Sequence, residues 1–168
     1  MSAKDHQQKA GNTPVTVAIV TVSDTRTPQT DGNKTYLEAR LAELNHLVAA
    51  YRLIKDEPDQ VEAVLDELAA MPDVQIILFN GGTGIAPRDT TYDVVSGKLT
   101  KVLPGFGEIF RMISYNEIGA AAMLSRAIGG VYGDKIVFCM PGSTNAVKTA
   151  MENLIIPQMN HLAWEIKR

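Results

Sequence analysis

The stretch from Leu78 to Thr91, LFNGGTGIAPRDTT, sets Gly81, Gly82, Thr83 and Gly84 directly behind an apolar run and places Arg88 and Asp89 just beyond. Glycines at one turn allow backbone N–H groups to approach a ligand that side chains would hold off, and an oxyanion is the ligand such amides suit. The same glycines also make an ordinary tight turn. A second turn, Pro141-Gly142-Ser143, opens a helical pattern, whose first amides and positive dipole end favour negative charge. Two further polar stretches, SDTRTPQTDGN from Ser23 and KDEPD from Lys55, complete a set of loops rich in Gly, Ser, Thr and Asp.

These loops act together only if the elements before them share an edge. Val15–Val22 (VTVAIVTV) is a continuous β-branched run, the pattern of a strand covered on both faces. LVAAYRLI before KDEPD and VQIILF before the glycines have the same character. Between them, Leu37, Leu41 and Leu44 recur at helical spacing from Thr35 to Leu47, and Val61, Val64, Leu65 and Leu68 do so from Pro58 to Ala70. The βαβαβ order predicts an α/β fold, a three-layer sandwich with a mostly parallel central sheet flanked by helices, whose ligands bind beyond the carboxyl ends of the strands. Further along, residues 107–130 predict one or two helices broken at Gly119 and stopped at Gly129–Gly130. DKIVFCM predicts a strand, and residues 143–166 a long helix that Pro157 kinks or divides. Residues 1–14 are polar and aperiodic and are expected to be a flexible tail, with a single domain over 15–168.

Composition removes several classes of function. A net charge of -3 without a cluster of Lys and Arg argues against nucleic-acid binding. The single cysteine, Cys139, lies inside an apolar run and suits a small buried hydrophobe in a reducing compartment. The N-terminus lacks the apolar core of a signal peptide and no apolar segment reaches membrane-spanning length, so a soluble cytoplasmic protein is expected. The Walker pattern fails because the glycine required ahead of Gly97–Lys98 is Tyr92, and G-x-G-x-x-G fails at Pro87 and Phe110. His6, His46 and His161 have no metal-ligand spacing, and there is no G-x-S-x-G elbow.

Four segments in order, GGTGIAPRDTT, PGFGEIFRMIS, SRAIGG and MPGSTNAV, span nearly the whole chain from Val15 and resemble the MoaB/MogA family of molybdenum cofactor biosynthesis, nearer its MoaB branch. The resemblance implies an α/β domain that assembles as a trimer or hexamer and transfers adenylyl from Mg-ATP to molybdopterin. It also implies contact with other proteins of that pathway. The family's two acidic residues match Asp56 and Asp89, which are assigned to catalysis and to Mg²⁺, a hard ion suited by carboxylates, phosphates and water. Attack of the pterin's phosphate on the α-phosphate of ATP would be catalysed by positioning and charge neutralisation. A non-catalytic molybdopterin carrier is the alternative.

Other residues have a structural reading beside the functional one. Asp89 suits the cap of a short helix near TTYDVV, and Asp56 an ordinary turn ahead of a helix. Ser23 and Asp24 make either a turn or a ligand contact, and the resemblance favours contact with substrate or nucleotide. Arg88 either offsets phosphate charge or pairs with Asp89 or Glu108. Glu108 and Ser114 are assigned to the pterin end, and Phe106, Phe110 and Met112 to the core or a subunit contact. Ser125 and Arg126 are candidates for anion binding, although an arginine there also suits pairing with carbonyls or carboxylates.

Overall fold

The computed structural model describes Gly11 and residues 13–168, so most of the expected tail lies outside the described residues. The chain runs β1 (Thr16–Val22), α1 (Gly32–Glu43), β2 (Leu47–Ile54), α2 (Pro58–Ala69), β3 (Ile76–Asn80), α3 (Thr91–Lys98), β4 (Lys101–Val102) and α4 (Pro104–Ile118). A 3-10 turn (Gly119–Leu124) then leads to β5 (Ile128–Tyr132), β6 (Lys135–Met140), α5 (Thr144–Ala150), a wide turn (Met151–Ile155) and α6 (Ile156–Glu165). The sheet order is β2-β1-β3-β6-β5-β4. Neighbours from β2 to β6 pair in parallel, whereas β5 is antiparallel to both β6 and β4.

The strands are apolar on both faces because each face meets helices. Side chains alternate across a strand. Thus Val17, Ile19, Ile76, Leu78, Phe138 and Met140 join Leu37 and Leu41 of α1 and Met151, Ile155 and Met159 near the C-terminus. On the other side, Ala18, Val20, Ile77, Phe79, Val137 and Cys139 join Val61, Leu65 and Leu68 of α2 and Val95 of α3. Two cores, one on each side of the sheet, give the expected three layers. Cys139 is fully enclosed, and burial pushes its thiol well above the usual range.

Several expected boundaries move for local reasons. Helix α1 starts at Gly32, ahead of the first periodic leucine, because the Asp31 carboxylate accepts from the Asn33 and Lys34 amides. Its expected end, Leu47, instead opens β2. Gly129 and Gly130 do not stop a helix: they lie in β5, where a side chain on Gly129 would meet the Phe138 ring and one on Gly130 the Lys101 carbonyl. The break at Gly119 occurs at the end of α4, and the long final helix divides as expected, with Pro157 in the first turn of α6. There the wide turn before the proline absorbs the loss of its N–H. Phe106 and Phe110 are buried, whereas Met112 is exposed on α4 beside Ile109, Tyr115 and Ile118. Among the described residues no helix is long and apolar enough to cross a membrane.

Candidate phosphate-binding rim

Because β1, β2, β3 and β6 run parallel, the turns that follow them emerge at one edge, and backbone hydrogen bonds join their roots. Ser23 N–H donates to Ile54 O at 2.9 Å, linking the ends of β1 and β2. Gly81 N–H donates to Met140 O at 3.0 Å, linking the ends of β3 and β6. Beyond those roots the β3 turn enters backbone that only glycine adopts easily: φ is 108° at Gly81 and 67° at Gly82. A Cβ at Gly81 would strike Val22 O, and one at Gly82 would strike Thr91 Oγ1 and lie 2.5 Å from Asp56 Oδ2. Gly142 packs against the same turn, its Cβ position 3.1 Å from Gly81 Cα. A side chain is excluded at Gly81 and Gly82 and crowded at Gly142 because separate turns touch there.

Asp56 is the buried acid of this rim. Its Oδ1 accepts from Thr90 N–H at 3.1 Å, Thr90 Oγ1 at 2.8 Å and Thr91 Oγ1 at 3.1 Å, while Oδ2 lies beside Gly82. The solvated-turn reading of Asp56 is therefore replaced: its carboxylate ties the β2 turn to the start of α3. Asp89 sits opposite Gly84, a Cβ there lying 2.5 Å from Asp89 Oδ2. That oxygen accepts from Ala86 N–H at 3.1 Å and so closes the glycine loop on itself. It does not cap α3, whose capping position is held by Thr90.

Arg88 pairs with neither Asp89 nor Glu108. It forms a two-pronged contact with Asp24, Nε to Oδ2 at 2.6 Å and Nη2 to Oδ1 at 2.9 Å, and reaches Glu57 at 3.2 Å. The longer reach across the rim wins because these carboxylates belong to the neighbouring β1 and β2 turns. This hydrogen bond from Arg88 holds the Asp24 carboxyl below the usual carboxylate range. Ser23 Oγ accepts from the Thr25 and Arg26 amides and shapes the β1 turn. Arg126 donates to Thr83 O at 3.1 Å and Asp89 O at 3.2 Å, pairs with Asp93 at 2.9 Å, and lies over the Tyr92 ring. It braces the glycine loop from the side.

The remaining residues divide by position. Pro141, Gly142 and Ser143 form the β6 turn, where Ser143 Oγ accepts from Ala146 N–H and caps α5. Glu108 lies in a different hollow of about 210 Å³, with Tyr92, Arg111 and Ala127 among its walls. Ser125 borders that region through its carbonyl, which accepts from Arg111 at 3.2 Å. Ser114 is buried on the inner side of α4. The rim therefore brings together Ser23, Asp24, Asp56, Gly81–Gly84, Arg88, Asp89, Arg126 and Pro141–Ser143, with Glu108 and Ser114 on α4 and Ser125 just after the 3-10 turn.

Beneath the rim lies a polar layer for which no role was read from the sequence. Asn33 and Asn80 are fully buried and linked by Asn33 Nδ2 to Asn80 Oδ1 at 2.8 Å. Asn33 Nδ2 also reaches Gly142 O at 2.8 Å, as does Arg26 Nη2 at 3.1 Å. Asp31 takes Arg26 on Oδ1 at 3.2 Å and the Tyr51 hydroxyl on Oδ2 at 2.9 Å. The one available sequence signal was Asn80, a polar residue at the end of an otherwise apolar strand.

The family model described as "Probable molybdopterin binding domain" matches residues 18–161. Over 167 residues the chain is 49% identical to molybdenum cofactor biosynthesis protein B of Halalkalibacterium halodurans, covering 99% of this chain and 98% of that protein. Identity to the Bacillus subtilis protein of the same name is 47% over 171 residues, covering 100% and 99%. A crystal structure of a molybdenum cofactor biosynthesis protein B superposes with a TM-score of 0.91 at 47% identity, covering 94% of this chain and 99% of the other. The tungsten cofactor synthesizing protein MoaB from Pyrococcus furiosus gives 0.81 at 31% identity, covering 92% and 98%.

Proposed function

This chain belongs to the family of probable molybdopterin binding domains, and from that premise we propose that it acts in molybdenum cofactor biosynthesis as a molybdopterin adenylyltransferase. In this reaction a phosphate oxygen of molybdopterin attacks the α-phosphorus of ATP, a new P–O bond forms, the α–β bridging bond breaks, and pyrophosphate leaves. Both reactants are anions, so the protein's work is to hold them together and offset their charge. The observation that carries this reading is the meeting of the β3 and β6 turns at Gly81, Gly82 and Gly142, with the Asp56 carboxylate against Gly82.

The donor set suits magnesium that arrives with the nucleotide. Among the described residues no three or more His, Cys, Asp and Glu side chains come together as a metal cage. Mg²⁺ commonly takes one or two carboxylates and completes its shell with phosphate oxygens and water. In this reading Asp56 and Asp89 take that role, each with one oxygen already fixed by the protein. Bound Mg²⁺ would supply charge neutralisation at the phosphates. Arg88 and Arg126 add positive charge at the rim, and both are already oriented by carboxylates. The reading includes a cytoplasmic homotrimer or homohexamer that associates through the apolar face of α4, with contacts to other proteins of the pathway.

The test is pyrophosphate release from Mg-ATP in the presence of molybdopterin, wild type against Asp89→Ala. Release by the wild type and a drop of about 100-fold in the variant are expected. A wild type that binds molybdopterin and releases none is a carrier. Unchanged turnover in Asp89→Ala removes that residue from the mechanism.

A further inference from the structure

We infer that Asn33, with Arg26, is a positioning residue that sets the β6 turn against the β3 turn and so fixes the anion-binding geometry of the rim. The inference rests on the proposed reaction and deepens it. Its basis is a chain of side-chain amides crossing the sheet beneath the site. Asn80 Nδ2 donates to Val20 O and Thr21 Oγ1, both at 3.1 Å, which locks Asn80 to β1. Asn80 Oδ1 accepts from Asn33, and the same Asn33 nitrogen donates to Gly142 O. One buried route thereby joins β1, β3, α1 and the β6 turn.

The orientation of Asn33 is fixed, because turning the amide over would put Oδ1 against two carbonyl oxygens. The cost of this arrangement is visible: Asn33 Oδ1 is the buried side-chain atom without a partner among the described residues. Such an atom in a native interior calls for an explanation, and positioning of a site supplies one. The consequence at the rim follows from peptide geometry. Asn33 and Arg26 draw the Gly142 carbonyl inward from two sides, and in a trans peptide the Ser143 N–H then points the opposite way. This aim is lost if the carbonyl is released.

The experiment compares wild type, Asn33→Ala and Arg26→Gln by calorimetric titration with Mg-ATP, thermal unfolding and amide NMR. Expected are a Kd raised at least about 10-fold for Asn33→Ala and a smaller rise for Arg26→Gln, with the Gly142 and Ser143 amide signals displaced and the folded state retained. Wild-type affinity in both variants overturns the inference, because a purely structural pair would lower only the thermal midpoint. If Asn33→Ala fails to fold, Arg26→Gln decides alone, since Arg26 is partly exposed and outside the core. If the wild type itself does not bind Mg-ATP, the adenylyltransferase reading fails. The positioning claim is then judged by inorganic pyrophosphate: perturbation of the Ser143 amide in the wild type but not in the variants sustains it, and the same response in all three, or in none, removes it.

Discussion

Gly82 carries two constraints at once, a left-handed backbone and a position walled by Thr91 and Asp56. Either alone disfavours a side chain, and together they make Gly82→Ala a sharp probe. Left-handed backbone costs an L-residue about 1–2 kcal/mol, and overpacking adds about 1–3 kcal/mol. A loss of about 2–5 kcal/mol in a denaturant titration is therefore expected, with displacement of the Asp56 carboxylate. A smaller loss would mean that Thr91 swings away. At this scale the sequence was most informative where residue type is restrictive: Gly81, Gly82, Asp56 and Asp89 all meet at the rim. It was least informative about partners. Arg88 and Asp24 are separated by 64 positions, and no local spacing pairs them. Asn33 looked like one more polar residue in a loop until the fold set it under Gly142.

Among the elements, α1 shows how one cap serves both a helix and the site above it. Asp31 is buried at the start of α1 and bound by Arg26 and Tyr51. Burial raises its pKa, but hydrogen bonds from Thr21, Tyr51 and the Lys34 amide, with the charge of Arg26, outweigh it and leave the pKa lowered. A carboxylate depressed on folding stabilises above its unfolded pKa, about 4, and that contribution is lost as pH falls through the folded value. Asp31→Asn keeps a good cap while removing the charge, so wild type should exceed it by about 1 kcal/mol at neutral pH and converge with it below about pH 4. Equal unfolding curves at every pH would show that the charge contributes nothing. The parallel part of the fold was readable because β1, β3 and β6 are apolar on both faces and α2 is cleanly periodic. The β4–β5 edge was not, since β4 has two residues and β5 opens with IGG, whose glycines answer to Phe138 and Lys101 rather than to a helix end.

Taken as a whole, the molecule has its polar loops at the carboxyl ends of the parallel strands and most of its exposed large apolar side chains on α4 and the turn after it. Met112, Tyr115, Ile118 and Met123 are between 53% and 79% exposed, a concentration unusual for a chain that stays alone. If α4 is the self-association face, Met112→Glu lowers the assembly state in sedimentation velocity while circular dichroism is unchanged; an unaltered sedimentation coefficient would move the contact elsewhere. The rim lies in the turns at the strand ends, and the end of α4 touches the helix that follows one of them through Glu117 and Asn145. The enclosed thiol of Cys139 has a different use. It is the chain's single sulfhydryl, on a strand paired on both edges, and it packs beneath α2 and α3 on one face of the sheet. A maleimide can reach it only after the sheet has come apart, so its labelling rate in dilute urea should follow the free energy of complete opening. One unlabelled, unmutated side chain thus serves as a clock for how often the protein unfolds.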